Sequence, residues 1–273
     1  MTRVGIGYRR EIATQIWKHT DRIECLEILV EHFLPLTKQR AVELNRLVET
    51  FDTIIHGVDL SLGSVYDPPA AYWRDLEEIV RITSAAFFGE HLSVSKNNTH
   101  DLWHLSPVWR SPTSLHHCIR RVSEAQERLG IPLAIENITE MVSYGADQMS
   151  PEDFMLSLCS ATDAYLLLDV SNLSINIANA VLGYGEGYMA RLAGLHWAQI
   201  HVAGSSRDGD GYLIDSHSEE LLASDDAILQ AALRIQQPEY IIIERDSNLS
   251  EFGSILRDIR RVKMALTQAA LRD

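Results

Sequence analysis

Eight short apolar runs recur along the chain, at 4–6, 23–29, 53–56, 86–92, 132–136, 165–170, 197–202 and 240–244. They read as continuous apolar stretches, the pattern of strands buried on both faces. Amphipathic segments at 41–50, 72–82, 115–129, 151–161, 225–235 and 252–267 read as helices between them. Alternating strand and helix implies a parallel sheet, and eight repeats imply closure into an α/β (β/α)₈ TIM barrel. A length of 273 residues is ordinary for one such barrel. No linker or low-complexity tract interrupts it, so residues 1–273 read as a single catalytic domain. The stretches 96–113 and 203–216 read as irregular loops, each following a strand, where barrel enzymes keep functional loops.

The polar residues are informative by position. Strands run into His56, His91, Glu136 (followed by Asn137), Asp169, His201 and Glu244. Strand C-termini converge on one mouth of a barrel, so residues far apart in sequence would point into one small volume. A carboxylate closing an apolar strand is costly unless paired or metal-bound, and several together repel without a cation between them. Asn172 follows in LLLDVSN, and LIDSHS offers Asp215 and His217, an i, i+2 pair able to face one way on an extended segment. Nine oxygen and nitrogen ligands without a thiolate suit iron, manganese or zinc, and are too many for one ion.

Net charge is −14, which argues against a nucleic-acid partner, because phosphate contacts call for a basic face. With 46% apolar residues the chain is long enough for a large core. No apolar run reaches a membrane-spanning length, and the N-terminus lacks the apolar stretch of a secretory signal, so the expected location is cytoplasmic. Cys25, Cys118 and Cys159 are widely spaced, indicating neither a zinc ribbon nor a disulfide framework, and are expected as buried apolar residues. His116 and His117 are expected on an exposed helix face and His196 at the wrong end of the barrel. His100 and His104, in a loop above the mouth, are candidates for substrate contact. VGIGYRR lacks a dinucleotide fingerprint, leaving Gly5 and Gly7 as packing or loop positions. Arg9 either faces the mouth or is a surface arginine. The segments SLGS at 61–64 and ERD at 244–246 are motif-like.

The stretches GIGYRRE, HGVDLSLGS, EHLS, LAIEN, LLLDVSN, QIHVAG, IDSH and IIIERD, in this order and spanning nearly the whole chain, resemble the multinuclear non-haem iron-dependent oxidative enzymes that modify ribosomally made peptides. The order of ligands is also similar to that of endonuclease IV-like trinuclear barrels, but Asn172 stands where the nuclease pattern has a histidine. The resemblance implies one ion held by His56, His91 and Glu136, a second by Glu136, Asp169, His201 and Glu244, and a third by Asn172, Asp215 and His217. It implies two or three irons of mixed Fe(II)/Fe(III) valence with O₂ as co-substrate. Glu136, Arg9 and Asp246 are the catalytic candidates. After HVAG this chain has Ser205-Ser206, where many relatives carry a histidine.

The activity implied by the resemblance is O₂-dependent oxidation of a cysteine in a ribosomally synthesised precursor peptide. The oxazolone–thioamide pair of methanobactin-type copper chelators is the first candidate product, and carbon excision from a C-terminal cysteine the second. A small leader-binding partner protein, forming a heterodimer with the chain, is expected to present the peptide. The rival readings are a zinc-dependent endonuclease IV-like phosphodiesterase, a sugar isomerase and a non-catalytic iron-binding scaffold.

Overall fold

The computed structural model describes residues 1–142, 144–145, 149–181, 183–185 and 187–271. Its strands are β1 (Arg3–Gly7), β2 (Cys25–Leu29), β3 (Asp52–Gly57), β4 (Phe88–His91), β5 (Val94–Lys96), β6 (Asp101–Ser106), β7 (Leu133–Glu136), β8 (Tyr165–Asp169), β9 (Trp197–Arg207), β10 (Leu213–Glu219) and β11 (Tyr240–Glu244). Eight of them pair in parallel, β1-β2-β3-β4-β7-β8-β9-β11, and β11 returns to β1, closing the barrel. Helices α1 (Ala13–Lys18), α2 (Lys38–Val48), α3 (Ala70–Thr83), α4 (Pro112–Leu129), α5 (Pro151–Thr162), α6 (Val170–Ala178), α7 (Gly187–Arg191), α8 (Ala223–Ile235) and α9 (Phe252–Ala270) complete the order. Two of the helices start at conventional signals. Ser111 and Ser150 cap α4 and α5 with a proline just inside each helix.

The two-residue period of the strands creates the site. Outward side chains such as Leu26, Ile55, Leu168 and Ile243 pack under the helices. Inward ones form a second apolar cluster that includes Cys25, Ile54, Phe87, Ala134, Leu167 and Ile242. Two residues further along the same strands come Glu27, His56, Gly89, Glu136, Asp169 and Glu244. An apolar layer therefore floors the barrel, and a buried polar layer lies directly above it. Gly89 has no side chain because a Cβ there would lie 2.6 Å from His56 Nδ1. Gly5 is the packing position expected, since its Cβ would fall 2.0 Å from the Cys25 carbonyl oxygen.

Two stretches expected to be irregular are ordered. Residues 96–113 contain β6, antiparallel to β5, and the start of α4; residues 203–216 hold the extension of β9 and the first part of its antiparallel partner β10. Both lie above the barrel mouth, where hairpins satisfy backbone groups that loops would leave to water. Short helices α1, α6 and α7 carried no clear periodic signal. All three cysteines are buried as expected. His116 is exposed and His196 pairs with Glu239 at 3.0 Å at the far end, but His117 is not free: its Nε2 lies 2.7 Å from the Ser64 carbonyl.

Candidate metal centre

The polar layer is concentrated on Glu136, which is 1% exposed at the end of β7. His56 Nε2 and His91 Nε2 each stand 3.3 Å from Glu136 Oε2, while His201 Nδ1 stands 3.2 Å from Glu136 Oε1. The two oxygens of one carboxylate thus face two different groups of histidines. His201 Nδ1 also lies 3.3 Å from Glu244 Oε2. Two sets of ligand atoms, one from His56, His91 and Glu136 and the other from Glu136, Asp169, His201 and Glu244, each converge within 4.8 Å.

These contacts are close without being satisfied. Glu136 Oε2, Asp169 Oδ2 and His217 Nε2 are buried and have no hydrogen-bond partner, although His217 Nε2 is 2.6 Å from Asp215 Oδ1. Buried polar atoms left unpaired cost free energy, and lone pairs aimed at a common point are what a cation requires. The donor set fits divalent metal ions of the iron, manganese and zinc kind.

Electrostatics agree. Burial alone would push every carboxyl here toward its neutral form, and Asp169, facing Glu136, Asp215 and Glu244 as well, is raised far above the usual range. Glu136 goes the other way: despite burial, His91, His201 and His56 hold it at about 2. Burial lowers His56. It opposes charge on His91 too, but Glu136 and Glu90 outweigh it and raise that imidazole to about 9. His201 and His217 are raised well above normal by Glu244 and their other carboxylate neighbours, again against burial. A cation entering must displace the proton from His91, so its apparent affinity is expected to rise as pH climbs toward about 9, with proton release. Calorimetry in buffers of differing ionisation enthalpy measures this; an affinity flat in pH would contradict it.

Asp215 and His217 sit on β10, where the register with β9 slips between Ile214 and Glu219 and His217 adopts a left-handed φ of 47°. The bulge brings the histidine to Glu244, 3.7 Å away, and to Asp246, 3.2 Å away. Arg9 resolves in favour of the mouth. Its guanidinium binds Asp246 Oδ1 through Nε at 2.8 Å and Nη2 at 2.5 Å, so Arg9, Asp246 and His217 form a chain at the rim. Asp169 caps α6 by accepting from the Asn172 amide at 2.7 Å. The Asn172 side chain is engaged on both sides, its oxygen accepting from Thr139 and its nitrogen donating to the Asn137 carbonyl at 3.2 Å. Its oxygen keeps one lone pair free.

Sequence reasoning missed Glu27. Its Oε2 accepts from His201 Nε2 at 2.9 Å and also binds Gln199, so it fixes the far side of the ring whose Nδ1 faces Glu136 and Glu244. Glu27 also converges with His56 and His201 as a third possible ligand group. The signal was a lone carboxylate inside the apolar run CLEIL, two residues on from an interior cysteine. The SLGS segment proves to be a latch: the Ser61 hydroxyl accepts from the Ser95 and Lys96 amides at 3.0 and 3.1 Å and donates to the Lys96 carbonyl at 2.9 Å. It ties the loop after β3 to the β5–β6 hairpin over the mouth. His100 and His104 are exposed in that hairpin, and His104 borders a cavity shared with Asn172 and Asp215.

Solved structures similar to this chain include an L-ribulose 3-epimerase (TM-score 0.61, 16% identical, 100% of this chain and 97% of that one) and endonuclease IV from Thermus thermophilus (TM-score 0.57, 13% identical, 96% and 99%). Likeness at these identities establishes the fold alone. In sequence, a UPF0276 protein of Neisseria meningitidis serogroup B is 26% identical over 268 residues, covering 97% of this chain and 95% of the relative. A UPF0276 protein of Shewanella amazonensis is 26% identical over 260 residues, covering 95% and 92%. The family model described as RiPP precursor modification enzyme MbnB/TglH/ChrH matches residues 3–267, and the chain belongs to that family of enzymes acting on ribosomally made precursor peptides.

Proposed function

We propose that the chain is an iron- and O₂-dependent enzyme that oxidises a cysteine of its precursor peptide. The observation carrying this reading is Glu136, a buried carboxylate with one oxygen toward His56 and His91 and the other toward His201. A shared carboxylate places negative charge between two cations and sets their separation. In this reading His56, His91 and Glu136 hold one iron, and Glu136, Asp169, His201 and Glu244 hold the next. Asn172, Asp215 and His217 hold a third. When bound, such irons would supply the reduction of O₂ and a Lewis-acidic partner for a thiolate.

The protein's own groups do the rest. Glu27 holds the His201 ring so that Nδ1 points inward. Arg9 neutralises Asp246, and Asp246 orients His217 through Nδ1, leaving Nε2 beside Asp215. Asp246 is half-exposed, and Arg9 and His217 hold it ionised against burial, so it keeps a fixed negative charge at the rim that positions both of them. The apolar floor beneath the polar layer keeps water from the centre's lower side. A small leader-binding protein is proposed to present the peptide.

Metal analysis and Mössbauer spectra of anaerobically purified protein test the reading, together with O₂ consumption on a cysteine-containing precursor, with and without the co-encoded small protein. More than one iron per chain and oxidation confined to cysteine are expected. Zinc alone, with phosphodiesterase activity, would replace this reading by the nuclease one.

A further inference from the structure

Beside the centre lies a cavity of about 550 Å³ that the proposed chemistry does not use. Its walls are mainly apolar and come from three separate segments above the mouth: Leu105 and Pro107 at the end of β6, Ile138, Met141 and Val142 after β7, and Ile214 on β10. Met141 is 72% exposed and Val142 54%. Apolar side chains gathered round an open recess gain free energy only when something apolar covers them. The inner wall carries Asn172 and Asp215, two of the residues proposed to hold metal. A group filling the recess therefore sits immediately beside the reacting position.

The family acts on precursor peptides, so a part of the peptide is the occupant we argue for. An acidic side chain is disfavoured because its charge would be desolvated against the apolar walls. The strands on either side, β6 and β10, each pair with one neighbour among the described strands. An extended peptide passing between them projects alternate side chains to opposite sides.

We propose that this cavity is a specificity subsite that takes an apolar side chain flanking the oxidised residue of the precursor. The proposal rests on the reading of the centre given above, because that reading locates the reacting position. It makes the cavity a selector of peptides by their register: one side chain fills the recess while its neighbour reaches the metal-holding residues.

The test uses metal-loaded protein under anaerobic conditions and fluorescently labelled short peptides, read by anisotropy. Each peptide has a central cysteine flanked on one side or the other by leucine, phenylalanine or aspartate. On one side, leucine and phenylalanine should bind about tenfold or more tighter than aspartate, the scale on which apolar pockets discriminate. Met141→Glu and, independently, Val142→Lys should erase that preference while metal content stays unchanged; both positions are exposed, so folding is not at stake. Equal binding of all flanks on both sides, or a preference unaltered in both variants, overturns the subsite. Serine-centred peptides separate the two readings. If they keep the flank preference, and cysteine peptides are neither bound better anaerobically nor oxidised once O₂ is admitted, the subsite stands and cysteine oxidation falls.

Discussion

Glu136→Gln removes metal from the centre and abolishes turnover while the barrel stays folded. The amide keeps the shape of the side chain but not its charge, and it can no longer offer two anionic oxygens to the groups around His56 with His91 and around His201 with Glu244. Loss of ligand support around metal sites typically costs 10–100-fold in affinity when an outer partner is removed, so loss of a shared inner ligand should exceed about a hundredfold. Folding should survive because the apolar clusters around and beneath the site are untouched; the change relieves Asp169 but takes a carboxylate partner from His91 and His201. Asn172→Ala should be milder, since its oxygen is already engaged by Thr139 and supplies at most one further lone pair. Metal content, turnover and circular dichroism of both variants check this. Full metal and wild-type turnover in Glu136→Gln would mean that the centre is built on other residues.

Asp258→Ala is expected to cost about 3–5 kcal/mol of stability, the usual cost of leaving one member of a buried ion pair alone. Arg245 Nη2 lies 2.9 Å from Asp258 Oδ2, and the two side chains are 4% and 0% exposed. Arg245 stands between Glu244 and Asp246, so this pair anchors the segment carrying one proposed metal ligand and the rim carboxylate to α9. Loss of the anchor should lower metal retention along with the denaturation midpoint. A double replacement, Arg245→Met with Asp258→Leu, should recover part of the stability, because two matched apolar groups replace two charges while the Leu221 amide and Arg261 lose Asp258 as an acceptor. Urea titrations of the three proteins decide it; an Asp258→Ala midpoint equal to wild type would show that the pair contributes little.

Hydrophobic runs alone located all eight barrel strands, because strands covered on both faces carry an apolar signal that owes little to their neighbours. The same signal located His56, His91, Glu136, Asp169, His201 and Glu244, since a polar residue at the end of such a run is conspicuous. Glu27 was not legible in that way: it lies within its run, and only closure of the barrel reveals that its two-residue phase from Cys25 points it at His201. The hairpins over the mouth were equally silent, because β6 and β10 are largely exposed or half-buried and carry no apolar run, and the β5–β6 hairpin owes its order to a tertiary latch, Ser61. Arg9 could not be assigned from sequence, because a single arginine after a strand fits surface and site alike; its place was decided by Asp246, a residue 237 positions away in the chain. Local patterning thus determined the scaffold and the kinds of side chain that end its strands. Contacts distant in sequence decided which atoms meet, and only those contacts give the site its unpaired, converging lone pairs.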